Sequence, residues 1–258
     1  LLGGDVQFGD IMLPAPAQEQ EAFNIHLGQR AIRVDRDRRS VETADGTIWP
    51  FEKLVFATGS RAFIPNIPGT NIPGVYAFRT ADDASALLAR TFSARKVTIL
   101  GGGLLGLEAA RGLSRWNCEV KVVEHENRLM PRQLDETAAE RLRTNIEELG
   151  VKILTGSRVA EICGEHRVEK ILLGDGTELE CDTVVICTGV RANTNLAGDA
   201  GLPFDRGILV NDQMQTRDPD IYAVGECAQF ETHVVGLVGP GYAQAEVAAA
   251  AISGKQAS

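Results

Sequence analysis

Hydrophobic patterning changes character several times along the chain. Ala31-Ile32-Arg33-Val34-Asp35 alternates as a half-buried strand, and Ser40-Val41-Glu42-Thr43 leads into Asp45-Gly46, a hairpin signal. Leu54-Val55-Phe56-Ala57 and Thr183-Val184-Val185-Ile186-Cys187 are continuous apolar runs, read as buried strands. Each ends in Thr-Gly, at 58–59 and at 188–189. From about 20 to 95 the pattern reads as short strands and turns, with Pro65, Pro68, Gly69, Pro73 and Gly74 marking an irregular crossover. Leu134, Ala138, Leu142, Ile146 and Leu149 keep helical spacing up to Gly150, which stops the helix. An alanine-rich helix, roughly 241–253, closes the chain.

The most informative pattern lies in the middle. Lys96–Leu100 reads as a strand that runs directly into Gly101-Gly102-Gly103-Leu104-Leu105-Gly106; a helix over 107–116 and a second strand, Glu119–Val123, follow. This is the arrangement of a dinucleotide fingerprint. Gly101 makes the tight turn, Gly103 lets the backbone approach a pyrophosphate, and Gly106 lets helix and strand pack closely. The helix N-terminus then offers unpaired amides and a positive dipole end to the phosphates, and Leu104 and Leu105, inside the fingerprint, are candidate cofactor-binding residues. Glu124 ends the second strand, 23 residues after Gly101, where an acid accepts hydrogen bonds from an adenine ribose. A carboxylate there repels a 2′-phosphate, so NADH is expected over NADPH; the nearby Arg128 keeps NADPH possible.

Composition narrows the class. The 258 residues, 44% of them apolar, suffice for a sizeable core. The 27 glycines have no collagen period, so they are expected in turns and close backbone contacts. A formal charge of −9, from 35 acids and 26 bases, argues against a nucleic-acid surface, because phosphate neutralisation needs clustered cations. No apolar run approaches membrane-spanning length, which excludes a membrane partner of that kind. The start, Leu1-Leu2-Gly3-Gly4-Asp5, has no basic region and no initiator Met, so it is not a signal peptide. Cys118, Cys163, Cys181, Cys187 and Cys227 form no Cys-x-x-Cys pair and read as small buried residues. Reduced thiols of this kind imply a cytoplasmic protein. His26, His125, His166 and His233 form no cluster, and no metal site is expected.

Taken together, these segments resemble the superfamily of pyridine nucleotide–disulfide oxidoreductases and rubredoxin reductases. Gly101–Gly106 with Leu107-Glu108-Ala109-Ala110 is similar to its NADH module, and Thr216-x-Asp218-Pro219-x-Ile221-Tyr222-Ala223-Val224-Gly225-Glu226 is similar to its second flavin motif. Within the superfamily, the resemblance is to the flavoprotein part of NAD(P)H-nitrite reductase large subunits and their nitrate-reductase electron-transfer relatives. Arg128-Leu129-Met130, Gln133-Leu134-Asp135, Gly225-Glu226-Cys227-Ala228 and Gly236-Leu237-Val238-x-Pro240-Gly241-Tyr242 carry it.

The resemblance implies an α/β fold of two dinucleotide-binding domains, truncated at its amino end. The expected domains are 1–91, the first part of an incomplete FAD-binding domain; 92–205, an NADH-binding domain; and 206–258, the second part of the FAD domain. It implies FAD as well as NADH, with FAD weak or absent in these residues alone, since the first fingerprint strand is not among them. Thr58, Gly59 and Gly189 are the strand ends beside the cofactors. Gly225 admits the flavin's ribityl-phosphate part, Glu226 accepts a ribityl hydroxyl, and the Val238 backbone lies at the flavin ring. Glu108 positions the nicotinamide for hydride transfer and is the catalytic candidate. The implied function is NADH-dependent electron transfer through FAD to an iron–sulfur or sirohaem centre, or to a small electron-transfer protein, in nitrite or nitrate assimilation. A rubredoxin or ferredoxin reductase is the alternative enzyme, and a non-catalytic NADH-binding or sensing module is the alternative of another class.

Overall fold

In the computed structural model, residues 2–11 and 24–255 are described. A three-stranded antiparallel meander comes first: β1 (Ala31–Asp35), β2 (Ser40–Thr43) and β3 (Ile48–Pro50). Next come β4 (Leu54–Phe56), β5 (Ser60–Ala62), β6 (Val75–Ala77) and α1 (Ala81–Thr91). The central segment holds β7 (Lys96–Leu100), α2 (Leu104–Ser114), β8 (Glu119–Val123), α3 (Glu136–Glu147) and β9 (Lys152–Leu154). A second meander follows: β10 (Val159–Cys163), β11 (Lys170–Leu173) and β12 (Glu178–Glu180). The chain ends through β13 (Thr183–Ile186), β14 (Val190–Ala192), α4 (Asn195–Asp199), β15 (Ile208–Val210), β16 (Ile221–Ala223), β17 (Ala228–Phe230) and α5 (Val238–Ile252).

These elements form two compact units. Among the described residues, unit 1 holds 2–11 and 62–189, and unit 2 holds 24–61 and 190–255. The boundary expected after residue 91 falls inside unit 1, because β6 is hydrogen-bonded to β13 in that unit's sheet. The boundary expected after 205 falls inside unit 2, where Ala197 of α4 and Leu202 share a core with Val34 of β1.

Unit 1 is built on a five-stranded parallel sheet in the order β6-β13-β7-β8-β9. Strand alternation sends successive side chains of β7 to opposite faces. Val97 and Ile99 join a core with Leu87 of α1, Leu107 and Leu113 of α2, and Ile146 of α3. Leu100 turns the other way, to meet Val184 and Ile186 of β13 and Ile162 and Ile171 of the second meander. The sheet is therefore covered on both faces, as parallel sheets require. Ile99 is fully buried, so Ile99→Ala should cost about 2–5 kcal/mol.

Helices α1 and α2 differ from the sequence reading. The stretch read as strands and turns up to residue 95 contains α1, started by a capping box in which Thr80 and Asp83 exchange side-chain and backbone hydrogen bonds. The helix expected from Leu107 starts at Leu104, with Gly103 as its N-cap. Gly106 lies inside that helix rather than in the turn before it.

Unit 2 joins the first meander to two short parallel ribbons, β4–β16 and β15–β17. Ion pairs tie its segments together: Arg36 pairs with Asp218 at 2.8 Å, while Arg39 and Lys53 each reach Asp220 at 2.6 Å. Hydrogen bonds from Lys53 and Arg39 hold the Asp220 carboxyl below its ordinary value. α5 packs through Val247, Ala248, Ala251 and Ile252 onto Met214, Tyr222 and Val224. Its amino end stays open, with Leu237, Val238 and Tyr242 all exposed. Val55 of β4 is also exposed, and among the described residues β4 pairs only with β16.

Candidate functional site

The fingerprint of unit 1 is shaped by glycine at each turn of its path. Gly101 has φ of 111°, and a Cβ there would stand 2.5 Å from the Cys187 carbonyl oxygen. A Cβ on Gly106 would stand 2.0 Å from the Gly101 carbonyl oxygen, so the first turn of α2 lies against the end of β7. At Gly103 a Cβ would meet nothing within 4 Å, and no side chain caps α2. The amino end of the helix is thus bare backbone facing open space, with the dipole's positive end behind it. Leu104 is exposed and Leu105 half-buried on this first turn.

Glu124 closes the far side of the turn. Its carboxylate accepts from the Gly102 amide at 2.6 Å and from the Glu126 amide at 2.8 Å, with 8% of the residue exposed. A carboxylate has about four lone-pair sites, so two remain for ligand hydroxyls. His125 and Glu126 stand beside it, the His125 Nδ1 3.9 Å from Glu124 and 3.6 Å from Glu126. Arg128 is turned away to the carbonyls of Pro131, at 3.2 Å, and Leu134, at 3.3 Å. The acid is therefore not neutralised by the arginine that sequence proximity suggested. Glu108 is exposed on the same helix, and among the described residues its side chain makes no hydrogen bond or ion pair. The bare helix end, the close turn and the buried acid fit a dinucleotide carrying two ribose hydroxyls.

Both Thr-Gly strand ends have the same local construction. Gly59 and Gly189 have φ of 60° and 106°. In unit 2, Thr58 Oγ1 donates to the Asn193 carbonyl at 2.7 Å and the Asn193 amide donates to the Gly59 carbonyl at 2.9 Å. In unit 1, Thr188 Oγ1 donates to the Phe63 carbonyl at 2.8 Å and the Phe63 amide donates to the Gly189 carbonyl at 2.9 Å. The repeated dipeptide is a repeated hydrogen-bonded device, which shapes the chain where it leaves each strand.

In unit 2, Gly225 has φ of 73°, and a Cβ there would meet nothing within 4 Å. Its amide donates to Gln244 Oε1 on α5 at 2.7 Å. Glu226 accepts from Ser60 Oγ at 2.6 Å, and a Cβ on Gly236 would stand 2.0 Å from Glu226 Oε1. Val238 opens α5 and is exposed. An open glycine turn, an acid and an uncapped helix start fit the polyol and phosphate parts of a flavin nucleotide. Sequence reasoning missed Ser60, Asn193 and Gln244. Only the position of Ser60 directly after Thr-Gly, and of Gln244 as a polar break in an alanine-rich helix, could have signalled them.

All five thiols are free; Cys181, Cys187 and Cys227 are buried as expected, whereas Cys118, just before β8, and Cys163, at the end of the edge strand β10, are only half-buried. Burial pushes Cys181 up to about 11 and Cys187 up to about 12. Cys227 is fully buried and donates to the carbonyls of Val224 and Phe56, at 3.2 and 3.4 Å. With thiols raised this far, Cys181 and Cys187 are poor nucleophiles near neutrality. Among the described residues, no three His, Cys, Asp or Glu side chains could hold a metal ion, and no helix is long and apolar enough to cross a membrane.

A family model described as pyridine nucleotide-disulphide oxidoreductase matches residues 4–251. The chain belongs to that family. Nitrite reductase [NAD(P)H] of Bacillus subtilis is 43% identical over 250 residues, covering 96% of this chain and 31% of the relative. The assimilatory nitrate reductase electron transfer subunit of the same organism is 39% identical, covering 98% of this chain and 33% of the relative. This oxidoreductase chain thus spans about a third of the length of these curated relatives. Among solved structures, a ferredoxin reductase from Rhodopseudomonas palustris superposes with a TM-score of 0.91 at 33% identity, covering 96% of this chain and 63% of that one. The fold is the α/β fold of FAD- and NAD(P)-binding pyridine nucleotide-disulphide oxidoreductases, and it implies binding of FAD and NAD(P)H.

Proposed function

We propose that the protein is an NADH-dependent flavoprotein oxidoreductase, which passes electrons from NADH through FAD to a downstream redox centre in nitrite or nitrate assimilation. The observation that carries this reading is the Glu124 carboxylate, buried and fixed by the Gly102 and Glu126 amides beside the bare end of α2. That arrangement selects two ribose hydroxyls next to a pyrophosphate. The identity to the nitrite and nitrate reductase relatives supports the pathway.

The chain's own residues bind and orient. Gly101, Gly103 and Gly106 bring backbone amides to the pyrophosphate, with Leu104 and Leu105 supplying amides of the first helical turn. Glu124 holds the adenine ribose and disfavours a 2′-phosphate. Glu108, exposed and without a side-chain partner among the described residues, positions the nicotinamide for hydride transfer. Gly225, Glu226 and the backbone at Val238 hold the flavin nucleotide, while Thr58, Gly59 and Gly189 shape the strand ends beside the cofactors. FAD, when bound, supplies the hydride acceptor and the outlet to a one-electron centre; the protein supplies position and electrostatics.

A second reading, a reductase for a small iron–sulfur electron carrier, is favoured by the likeness to the Rhodopseudomonas palustris ferredoxin reductase. Titrating NADH anaerobically into the FAD-loaded protein, expressed from its complete reading frame, tests both enzymatic readings. Bleaching of the flavin band is expected. Binding of NADH without bleaching would make the protein a sensing module instead. Reoxidation by a small carrier but not by an attached centre would favour the second reading.

A further inference from the structure

Glu226 and its neighbours in the chain are fixed by residues that the dinucleotide motifs do not contain. Ser60 Oγ donates to its Oε2 at 2.6 Å, across a sequence separation of 166 residues. Gly236 stands against Oε1, where any Cβ would lie 2.0 Å from the oxygen. Gln244 takes the amide of Gly225 at 2.7 Å, and Cys227 anchors the next residue to the Val224 and Phe56 carbonyls. Ser60 is itself presented by a fixed turn. Asn193 accepts from Thr58 Oγ1 on its carbonyl, donates its amide to Gly59 and donates Nδ2 to the Thr58 carbonyl at 2.8 Å.

We propose that Ser60 is a positioning residue for Glu226. Its hydroxyl, presented by the turn that Asn193 clamps, holds the carboxylate in one rotamer over Gly236 and so sets how tightly the chain grips the ribityl hydroxyls of a flavin nucleotide. The inference rests on the flavoprotein reading above. Glutamate reaches one methylene further than aspartate and has more rotamers to lose, so a Glu226 without the Ser60 hydrogen bond would lose more conformational freedom when it closes on a ligand. Glycine at 236 is the only residue that leaves room for the carboxylate in this position.

The test compares FAD dissociation constants, from quenching of flavin fluorescence, in the protein expressed from its complete reading frame. NADH dissociation constants are measured in parallel. Hydrogen bonds to charged groups are strong enough that Ser60→Ala should weaken FAD binding about tenfold. NADH binding, which belongs to unit 1, should stay unchanged and reports that the variant is folded. Ser60→Thr, which keeps the hydroxyl, should recover most of the loss. In a Glu226→Ala background, Ser60→Ala should have no further effect on FAD. Wild-type FAD affinity in Ser60→Ala, equal losses in the alanine and threonine variants, or a full additional loss in the Glu226→Ala background would each overturn the role of Ser60. A wild-type protein that binds no FAD would overturn the flavoprotein reading itself, and the inference with it.

Discussion

A Cβ on residue 106 would stand 2.0 Å from the carbonyl oxygen of Gly101, closer than any side-chain carbon can approach. The clash is with backbone, so no side-chain rotation relieves it. Gly106→Ala must push α2 away from the end of β7, and overpacking of this kind costs about 1–3 kcal/mol or more. The same displacement moves the bare helix amides that face the pyrophosphate. Thermal denaturation should show a lowered Tm, and NADH affinity should fall with it. An alanine variant with wild-type Tm and NADH affinity would mean that the fingerprint tolerates a wider turn than this one.

What the sequence made legible follows from how local each constraint is. The strand–glycine–helix path through Gly101 and Gly106 was readable because each glycine answers a clash within the same few residues or with the adjoining strand. The acid at Glu124 was readable because a fixed spacing brings the second strand's end beside the first. Helix α1 was missed because its inward face is thin: Ala84, Leu87 and Thr91 are its buried residues, and only the Thr80–Asp83 capping box marked its start. The start of α2 was placed three residues late because Gly106 reads as a turn residue, although its role is to let a helix approach a strand. Ser60 and Glu226 are a pair that sequence periodicity has no means to join, since the fold alone brings residues 166 apart into hydrogen-bond distance.

Glu124 has two jobs that substitution separates poorly. It is the acceptor for two backbone amides and the ligand proposed for the ribose, so Glu124→Ala leaves the Gly102 and Glu126 amides without their partner. An orphaned buried donor costs about 1–3 kcal/mol, and the variant should melt earlier as well as bind NADH more weakly. Glu124→Arg should move kcat/KM toward NADPH at a similar cost in stability. In the wild-type enzyme, kcat/KM should favour NADH, because Arg128 is engaged with the Pro131 and Leu134 carbonyls and does not cover the acid. Equal values for the two coenzymes would refute that preference.

Cys187 ties stability to alkaline pH. Burial raises its thiol from an ordinary value of 9.0 to about 12, so the folded chain keeps a proton that the unfolded chain gives up near 9. Between these values the native state binds more protons than the unfolded state, and stability falls as pH rises. Below 9 the contribution is fully present; it is lost progressively as pH climbs through the folded value. Cys181, raised to about 11, adds to the same slope over a narrower window. Urea midpoints measured from pH 8 to 11 should decline, and Cys187→Ala should flatten the decline. An unchanged slope in that variant would assign the alkaline sensitivity elsewhere.

Glu108 offers the cleanest separation of chemistry from structure. Its side chain is exposed on α2 and, among the described residues, makes no hydrogen bond or ion pair. Removing it disturbs no partner, and surface changes of this kind stay within about 0.5 kcal/mol. The Tm of Glu108→Ala should therefore match the wild type, and the NADH dissociation constant should change little, because Glu124 and the helix amides hold the other end of the coenzyme. Positioning errors near an ångström slow a bound reaction by about a hundredfold, and stopped-flow reduction of the flavin by NADH should slow by an amount approaching this. Glu108→Gln keeps the length of the side chain and should retain part of the rate if orientation by hydrogen bonding is the role, and none of it if the charge is. A Glu108→Ala enzyme that reduces its flavin at the wild-type rate would leave the nicotinamide positioned by the backbone alone.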